Sequence, residues 1–321
     1  MRTWKFDRRF VKWAQVEDAE AQDKLCGLRR ESVLSRCEGI VNIRDLGRRF
    51  RMAVLALRGR SVILTPKAPL FELEDNFFPR KRLTKILERE GASYTTAAPF
   101  PHVVIDGFLQ KAALKTVLRE FVRVDGVRWK SRSRETEIKL SNEDESSFGP
   151  FTWKLIHTLN SGYFLAFLEK LTGIDGLIAD PHLRGGGLHE IKRGGKLNVH
   201  ADFNFHRRLR LYRRLNLLLY LNRGWKEEWG GHLELWNRDM TSSCERILPI
   251  FNRAVIFNTS RYSYHGHPIP LACPDAQSRR SIALYYYTSS CPADEDETPH
   301  TTVFQQPGVS VELGAVDEQK I

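Results

Sequence analysis

Two residues apart in the run KLNVHADFN, His200 and Asp202 place an imidazole and a carboxylate where both can reach one ion. The context is strand-like, and alternation along a strand sends residues i and i+2 to the same face. A third ligand from another strand would complete a facial triad of two histidines and one carboxylate. That donor set suits iron(II) and leaves positions open for a co-substrate and O2. Alone, a His-x-Asp triplet is weak evidence, since it is most often only the polar end of a strand. It gains weight from AVIFNTSRYSYHGHP, where an apolar strand runs into a turn carrying His265 and His267. His265 lies nearer the strand, and Gly266 after it would let the backbone pass close to a crowded metal, so His265 is preferred over His267. His189, His206 and His232 are read as polar or supporting histidines.

The next chemical group stands 14 residues beyond His265, in SRRSIALYYYT. An arginine grips a carboxylate through two parallel hydrogen bonds and stays charged when buried. Arg279 and Arg280 point to opposite faces of this strand, so only one of them can turn toward a ligand. If neither does, the pair is simply an exposed strand start.

These residues need strands to hold them, and the chain supplies strand signals from residue 188 onward. LHEIKR, KLNVHAD, RLNLLLYLN, HLELWN, ERILPIF, RAVIFN and RSIALYYYT are short and separated by turn residues, the pattern of a barrel or sandwich. Before them, APFPHVVIDGFL reads as a strand closed by an Asp-Gly turn and QKAALKTVLREF as a helix. SRSRETEIKLSNEDESS reads as a polar loop. FTWKLIHTLNSGYFLAFLEKLTGI reads as two helices, the second stopped by Gly173. Residues 1–60 carry helical segments such as FVKWAQVEDAEAQDKL, then the mixed run FRMAVLALRGRSVILTP, with no chemistry apparent.

Composition narrows the field. The 321 residues are 41% hydrophobic and 28% charged, ordinary for a globular protein and against disorder throughout. Of the net charge of +11, residues 1–92 hold 21 Lys and Arg against 13 Asp and Glu, so the basic character belongs to the front of the chain. The arginines there are scattered among acids rather than set with aromatics on a reading element, which argues against nucleic-acid binding. Cys26, Cys37, Cys244, Cys273 and Cys291 form no CxxC pair, a pattern that suits a reducing compartment. The charged N-terminus is followed by no signal-peptide core, and no stretch reaches the roughly 20 apolar residues of a membrane span. The expected location is cytoplasmic.

With His200-Ala201-Asp202, a later His265 and a closing Arg279 in order, the chain resembles the prolyl 4-hydroxylase-like branch of the 2-oxoglutarate/iron(II) oxygenases, from about residue 95 to 291. PFPHVVIDGFL looks like the family's first strand, and RRLNLLLYLNRGWKEEWGGHLELW like its central hairpin. The resemblance implies His200, Asp202 and His265 as iron(II) ligands. It also selects Arg279, since the family's carboxylate-binding residue is followed by x-Ser-Ile, here Arg280-Ser281-Ile282. The Pro three residues after the ligand His fits His265 and Pro268. Tyr220 falls where relatives place a tyrosine that assists 2-oxoglutarate, and Asn216 and Leu218 share its strand face. One departure is that relatives often carry a tyrosine about nine residues before the first His, where this chain has Glu190-Ile191.

The implied fold is mainly β with supporting helices, a double-stranded β-helix (jelly roll, cupin-like) core. It would consist of a basic, partly helical N-terminal extension over 1–92, the oxygenase domain over 93–291 and a polar tail over 292–321, in which VFQQPGVSVEL could add an edge strand. The implied activity is hydroxylation of an unactivated C–H bond in a prolyl or other peptidyl residue, or in a small metabolite. Fe(2+) would be the metal, 2-oxoglutarate and O2 the co-substrates, ascorbate a candidate reductant, and succinate and CO2 the released products. Halogenating relatives lose the carboxylate ligand, so Asp202 favours hydroxylation. The basic run HRRLRLYRR could draw an anionic substrate, or be a solvated connection. Two other classes are a non-catalytic metal-binding jelly-roll interaction module, which the intact ligand set argues against, and a nucleic-acid adaptor acting through residues 1–92.

Overall fold

The computed structural model describes residues 77–79, 81–124, 128–292 and 298–305. All of them fall in one unit, and Met1–Lys67 lies outside the described residues. The helical reading of residues 1–60 therefore falls outside the description.

Helix α1 (Arg82–Glu90) is followed by strand β1 (His102–Asp106), helix α2 (Lys111–Phe121), a hairpin of β2 (Lys130–Ser133) and β3 (Glu137–Asn142), and helices α3 (Pro150–Leu159) and α4 (Gly162–Thr172). The ends of α3 and α4 are set locally. Pro150 stands in the first turn of α3, where a missing N–H costs nothing, and the Glu120 carboxylate accepts from the Phe151 and Thr152 amides. Gly173 closes α4 in the left-handed conformation, φ 72°, which a glycine adopts without Cβ strain.

The remaining strands are β4 (Ile178–Ala179), β5 (Gly187–Lys192), β6 (Lys196–Ala201), β7 (Phe205–His206), β8 (Leu211–Tyr220), β9 (Leu233–Trp236), β10 (Ser243–Ile247), β11 (Arg253–Asn258), β12 (His265–His267), β13 (Ser278–Thr288) and β14 (Val303–Phe304). They hydrogen-bond antiparallel in the order β1-β11-β8-β13-β5-β3-β6-β12-β9-β10. One wall is β1-β11-β8-β13-β5, the other β6-β12-β9-β10, and β3 joins them. This is the expected double-stranded β-helix.

β8 explains why LNLLLY is apolar on both faces. Leu215, Leu217 and Leu219, all fully buried, pack with Ile256, Ile282, Leu284 and Tyr286 against the helices, and each such leucine contributes about 1.5–3 kcal/mol. Asn216, Leu218 and Tyr220 turn to the interior between the two walls.

Two sequence readings need revision. The expected boundary between residues 92 and 93 falls inside the packed unit, because Phe77, Phe78, Leu83 and Ile86 are part of the main core. The polar loop at 131–147 contains the β2–β3 hairpin, whose partners are polar and gave no apolar alternation to read. In the tail, Val303 and Phe304 pair with Ala201 and His200, an edge strand where VFQQPGVSVEL was expected to add one. No helix among the described residues is long and apolar enough to cross a membrane.

Candidate active site

His200, at the end of β6, and His265, which opens β12, are direct cross-strand partners, and their rings lie 4.5 Å apart between centroids. Asp202, just past β6, completes the group: its Oδ1 is 3.6 Å from His200 Nε2 and its Oδ2 3.4 Å from His265 Nε2. One ligand atom from each residue lies within 4.8 Å of the others. Among the described residues this is the only such His/Cys/Asp/Glu group.

The two histidine rings are oriented by their own backbone. His200 Nδ1 lies 2.9 Å from the Asn198 carbonyl and His265 Nδ1 2.8 Å from that of Ser263. A carbonyl can only accept, so Nδ1 carries the proton and Nε2 keeps its lone pair toward Asp202. Phe304 and Phe257 border the rings, 5.4 Å from His200 and 4.7 Å from His265. The position of His265 in a strand differs from the expected turn. Gly266 serves β6 rather than a metal: a Cβ there would lie 2.8 Å from the carbonyl oxygens of Asn198 and Leu197, where β6 bulges between the His200 and Leu197 pairings.

Asp202 is held by two residues. Arg213 Nη2 and Asn216 Nδ2 both donate to Oδ2, at 3.0 and 2.7 Å, and Arg213 also donates to Asn216 Oδ1. The Arg213 guanidinium is buried and lies over the Tyr285 ring at 3.5 Å. Burial raises the Asp202 carboxyl, but Arg213, His265 and His200 outweigh it and hold it well below the ordinary carboxylate range. Burial, reinforced by His200, pushes His265 down to about 4. The three ligand candidates thus favour a carboxylate and a neutral imidazole at His265, the forms that bind a cation.

Arg279 turns inward and Arg280 outward. Arg280 pairs with Glu190 at 3.1 Å and lies over Phe121 of α2 at 6.0 Å. Arg279 is 5% exposed; its Nε donates to the Gly231 carbonyl at 2.8 Å and its Nη2 to the Tyr220 hydroxyl at 3.2 Å. Gly231 has a positive φ of 72°, and a Cβ there would press on Arg279 Cδ at 3.1 Å. Burial raises the Tyr220 phenol, opposed by Arg279, so the hydroxyl keeps its proton for donation. No carboxylate pairs with Arg279 among the described residues.

His206 lies 3.6 Å from Asp180 and His232 2.7 Å from Glu227, both as supporting histidines. His189 faces the interior, opposite Ser281, with Nε2 3.0 Å from the Gly185 carbonyl. The basic run HRRLRLYRR divides: Arg207, Arg208 and Arg210 are exposed, while Arg213 is the anchor of Asp202. Sequence reasoning missed that anchor, Gly231, Phe304 and Lys139 of β3. A polar Asn216 inside an apolar strand was the available signal for the first.

Residues 186–287 match the family model of the 2OG-Fe(II) oxygenase superfamily. The segment from β5 into β13 thus carries the sequence pattern of an iron(II)- and 2-oxoglutarate-dependent oxygenase. No curated protein matches the chain. Among solved structures it is similar to a prolyl-4-hydroxylase from Pseudomonas putida, with 17% identity and a TM-score of 0.48, over 63% of this chain and 99% of the other. A prolyl hydroxylase from Trichoplax adhaerens, in complex with a hypoxia inducible factor peptide fragment, gives 18% identity and a TM-score of 0.44, over 64% and 88%. HygX from Streptomyces hygroscopicus, with nickel, 2-oxoglutarate and hygromycin B bound, gives 13% and 0.41, over 65% and 87%.

Proposed function

We propose that His200, Asp202 and His265 hold iron(II), that Arg279 and Tyr220 hold the distal carboxylate of 2-oxoglutarate, and that the domain hydroxylates an unactivated C–H bond with release of succinate and CO2. The observation that carries this reading is the buried Arg279 guanidinium. It shares the interior with the triad and has only a carbonyl and a hydroxyl as partners. A buried charge without a counter-ion is costly, and a carboxylate ligand would supply one.

When bound, the metal supplies activation of O2, coupled to oxidative decarboxylation of the co-substrate. The chain's own residues do the rest. Five N–H groups belong to a guanidinium; two are spent on Gly231 and Tyr220, leaving donors for a carboxylate. Tyr220 accepts from Arg279, so its own hydrogen is free to donate to the same acid. Arg213 and Asn216 donate to Asp202 Oδ2 and would hold its carboxylate beside His200 and His265 as a ligand for the metal.

The substrate reading stays at two classes, a peptidyl residue such as proline or a small metabolite. The similar proteins from Pseudomonas and Trichoplax are prolyl hydroxylases and HygX was solved with hygromycin B, which supports keeping both. The thiols of Cys244 and Cys273, which form no disulfide, suit a reducing compartment such as the cytoplasm. Incubation with iron(II), 2-oxoglutarate, ascorbate and O2 tests the activity. Succinate is the expected product, formed faster with a cognate substrate, and the same succinate yield from Asp202→Ala would contradict the ligand assignment.

A further inference from the structure

β12 carries a second histidine on the same inward face as His265, because residues two apart on a strand share a face. His267 is 3% exposed, and neither of its ring nitrogens has a hydrogen-bond partner among the described residues. The other interior histidines differ. His200 and His265 tie Nδ1 to carbonyls, and His189 meets the Gly185 carbonyl. Buried polar groups are almost always paired, so an orphaned imidazole points to a partner that is not part of the chain.

The charge around the ring says what kind of partner. The groups acting on it are Arg279 first, then Lys139 and His200, with no acid among them. Arg279 has only neutral partners, and Lys139, 3.3 Å from Glu137, is the second cation facing this space. The geometry points to His267 as a direct contact of 2-oxoglutarate, one imidazole N–H donating to the carboxylate that Arg279 and Tyr220 bind. In either protonation state the ring has at least one N–H to give. This inference rests on the proposed co-substrate site.

The test is calorimetric titration of 2-oxoglutarate into the Mn(II)-loaded full chain, with Mn(II) affinity measured separately. His267→Leu, which removes the donors and keeps the volume, should raise the Kd for 2-oxoglutarate about tenfold or more, the value of a hydrogen bond to a charged group. Mn(II) affinity should stay within about twofold, since neither ligand atom nor charge changes. His267→Gln, whose amide still donates, should recover most of the loss. If Leu prevents folding, His267→Val carries the same expectation. A Leu or Val variant that binds 2-oxoglutarate as tightly as the wild type overturns the inference. Arg279→Ala separates the two levels: if it too leaves binding unchanged, the co-substrate site itself is misplaced, whereas weakened binding in Arg279→Ala alone removes only His267.

Discussion

Asp202 does its proposed work only because two neighbours fix its carboxylate beside the histidines. Arg213 and Asn216 both donate to Oδ2, and such partners of a ligand tune metal affinity about 10–100-fold. Asn216→Leu should therefore weaken Mn(II) binding by roughly tenfold while the chain stays folded, as read by calorimetry and a thermal melt; unchanged affinity would deny Asn216 an orienting role. At the same scale, Arg279→Ala should raise the 2-oxoglutarate Kd by about a hundredfold, from loss of a charged pair. Arg280→Ala, which breaks a contact to Glu190 on the opposite face, should stay near wild type, and the reverse order would show that the wrong arginine was chosen. The grouping of His200, Asp202 and His265 was legible because spacing carries it. Arg213 was not, since a buried arginine looks the same in sequence as the exposed Arg207 and Arg208 beside it.

At the scale of elements, the site depends on β12 lying flush against the bulged β6. Gly266 permits this, and Gly266→Ala would drive a Cβ to 2.8 Å from two carbonyl oxygens and 2.9 Å from Val199 Cα. Overpacking of this kind costs about 1–3 kcal/mol, so a lower melting temperature is expected, together with weaker metal binding as His265 shifts away from His200. A variant with wild-type melting and metal affinity would show that the strands can part at no cost. The strands of the larger wall were readable from alternation and apolar runs, as in RAVIFN and RSIALYYYT. The β2–β3 hairpin was not, because KSRS and EIKLSN carry few apolar residues and are fixed by pairing with β5 and β6. The edge strand expected in VFQQPGVSVEL forms over two residues, too few to show in sequence which partner it joins, and they place Phe304 against His200.

Over the whole molecule, the interior buries imidazoles whose protonation opposes folding. Burial and His200 push His265 down to about 4, and burial with Lys139 pushes His189 to about 3, whereas an unfolded histidine titrates near ~6.5. The unfolded chain takes up the proton first, so stability of the metal-free protein is complete above about pH 6.5 and falls as pH drops toward 4. His265 alone should cost about 2 kcal/mol at pH 5. Denaturant melts at pH 7 and pH 5 measure this, and Mn(II) should add stability at pH 7 far more than at pH 5, since protons compete for its ligands. A stability independent of pH across this window would contradict the burial of neutral histidines. The fold class was legible at this scale from the succession of short strands. The start of the packed unit was not, because Phe77, Phe78, Leu83 and Ile86 sit in a charged stretch that reads as surface.

The central claim is that one centre holds iron(II) through His200, Asp202 and His265 beside a 2-oxoglutarate held by Arg279. Anaerobic addition of iron(II) and then 2-oxoglutarate to the full chain tests it most directly. A visible charge-transfer absorption should appear only with both present and be lost in Asp202→Ala; a spectrum that does not change on adding 2-oxoglutarate, or a band that survives in Asp202→Ala, would contradict the account.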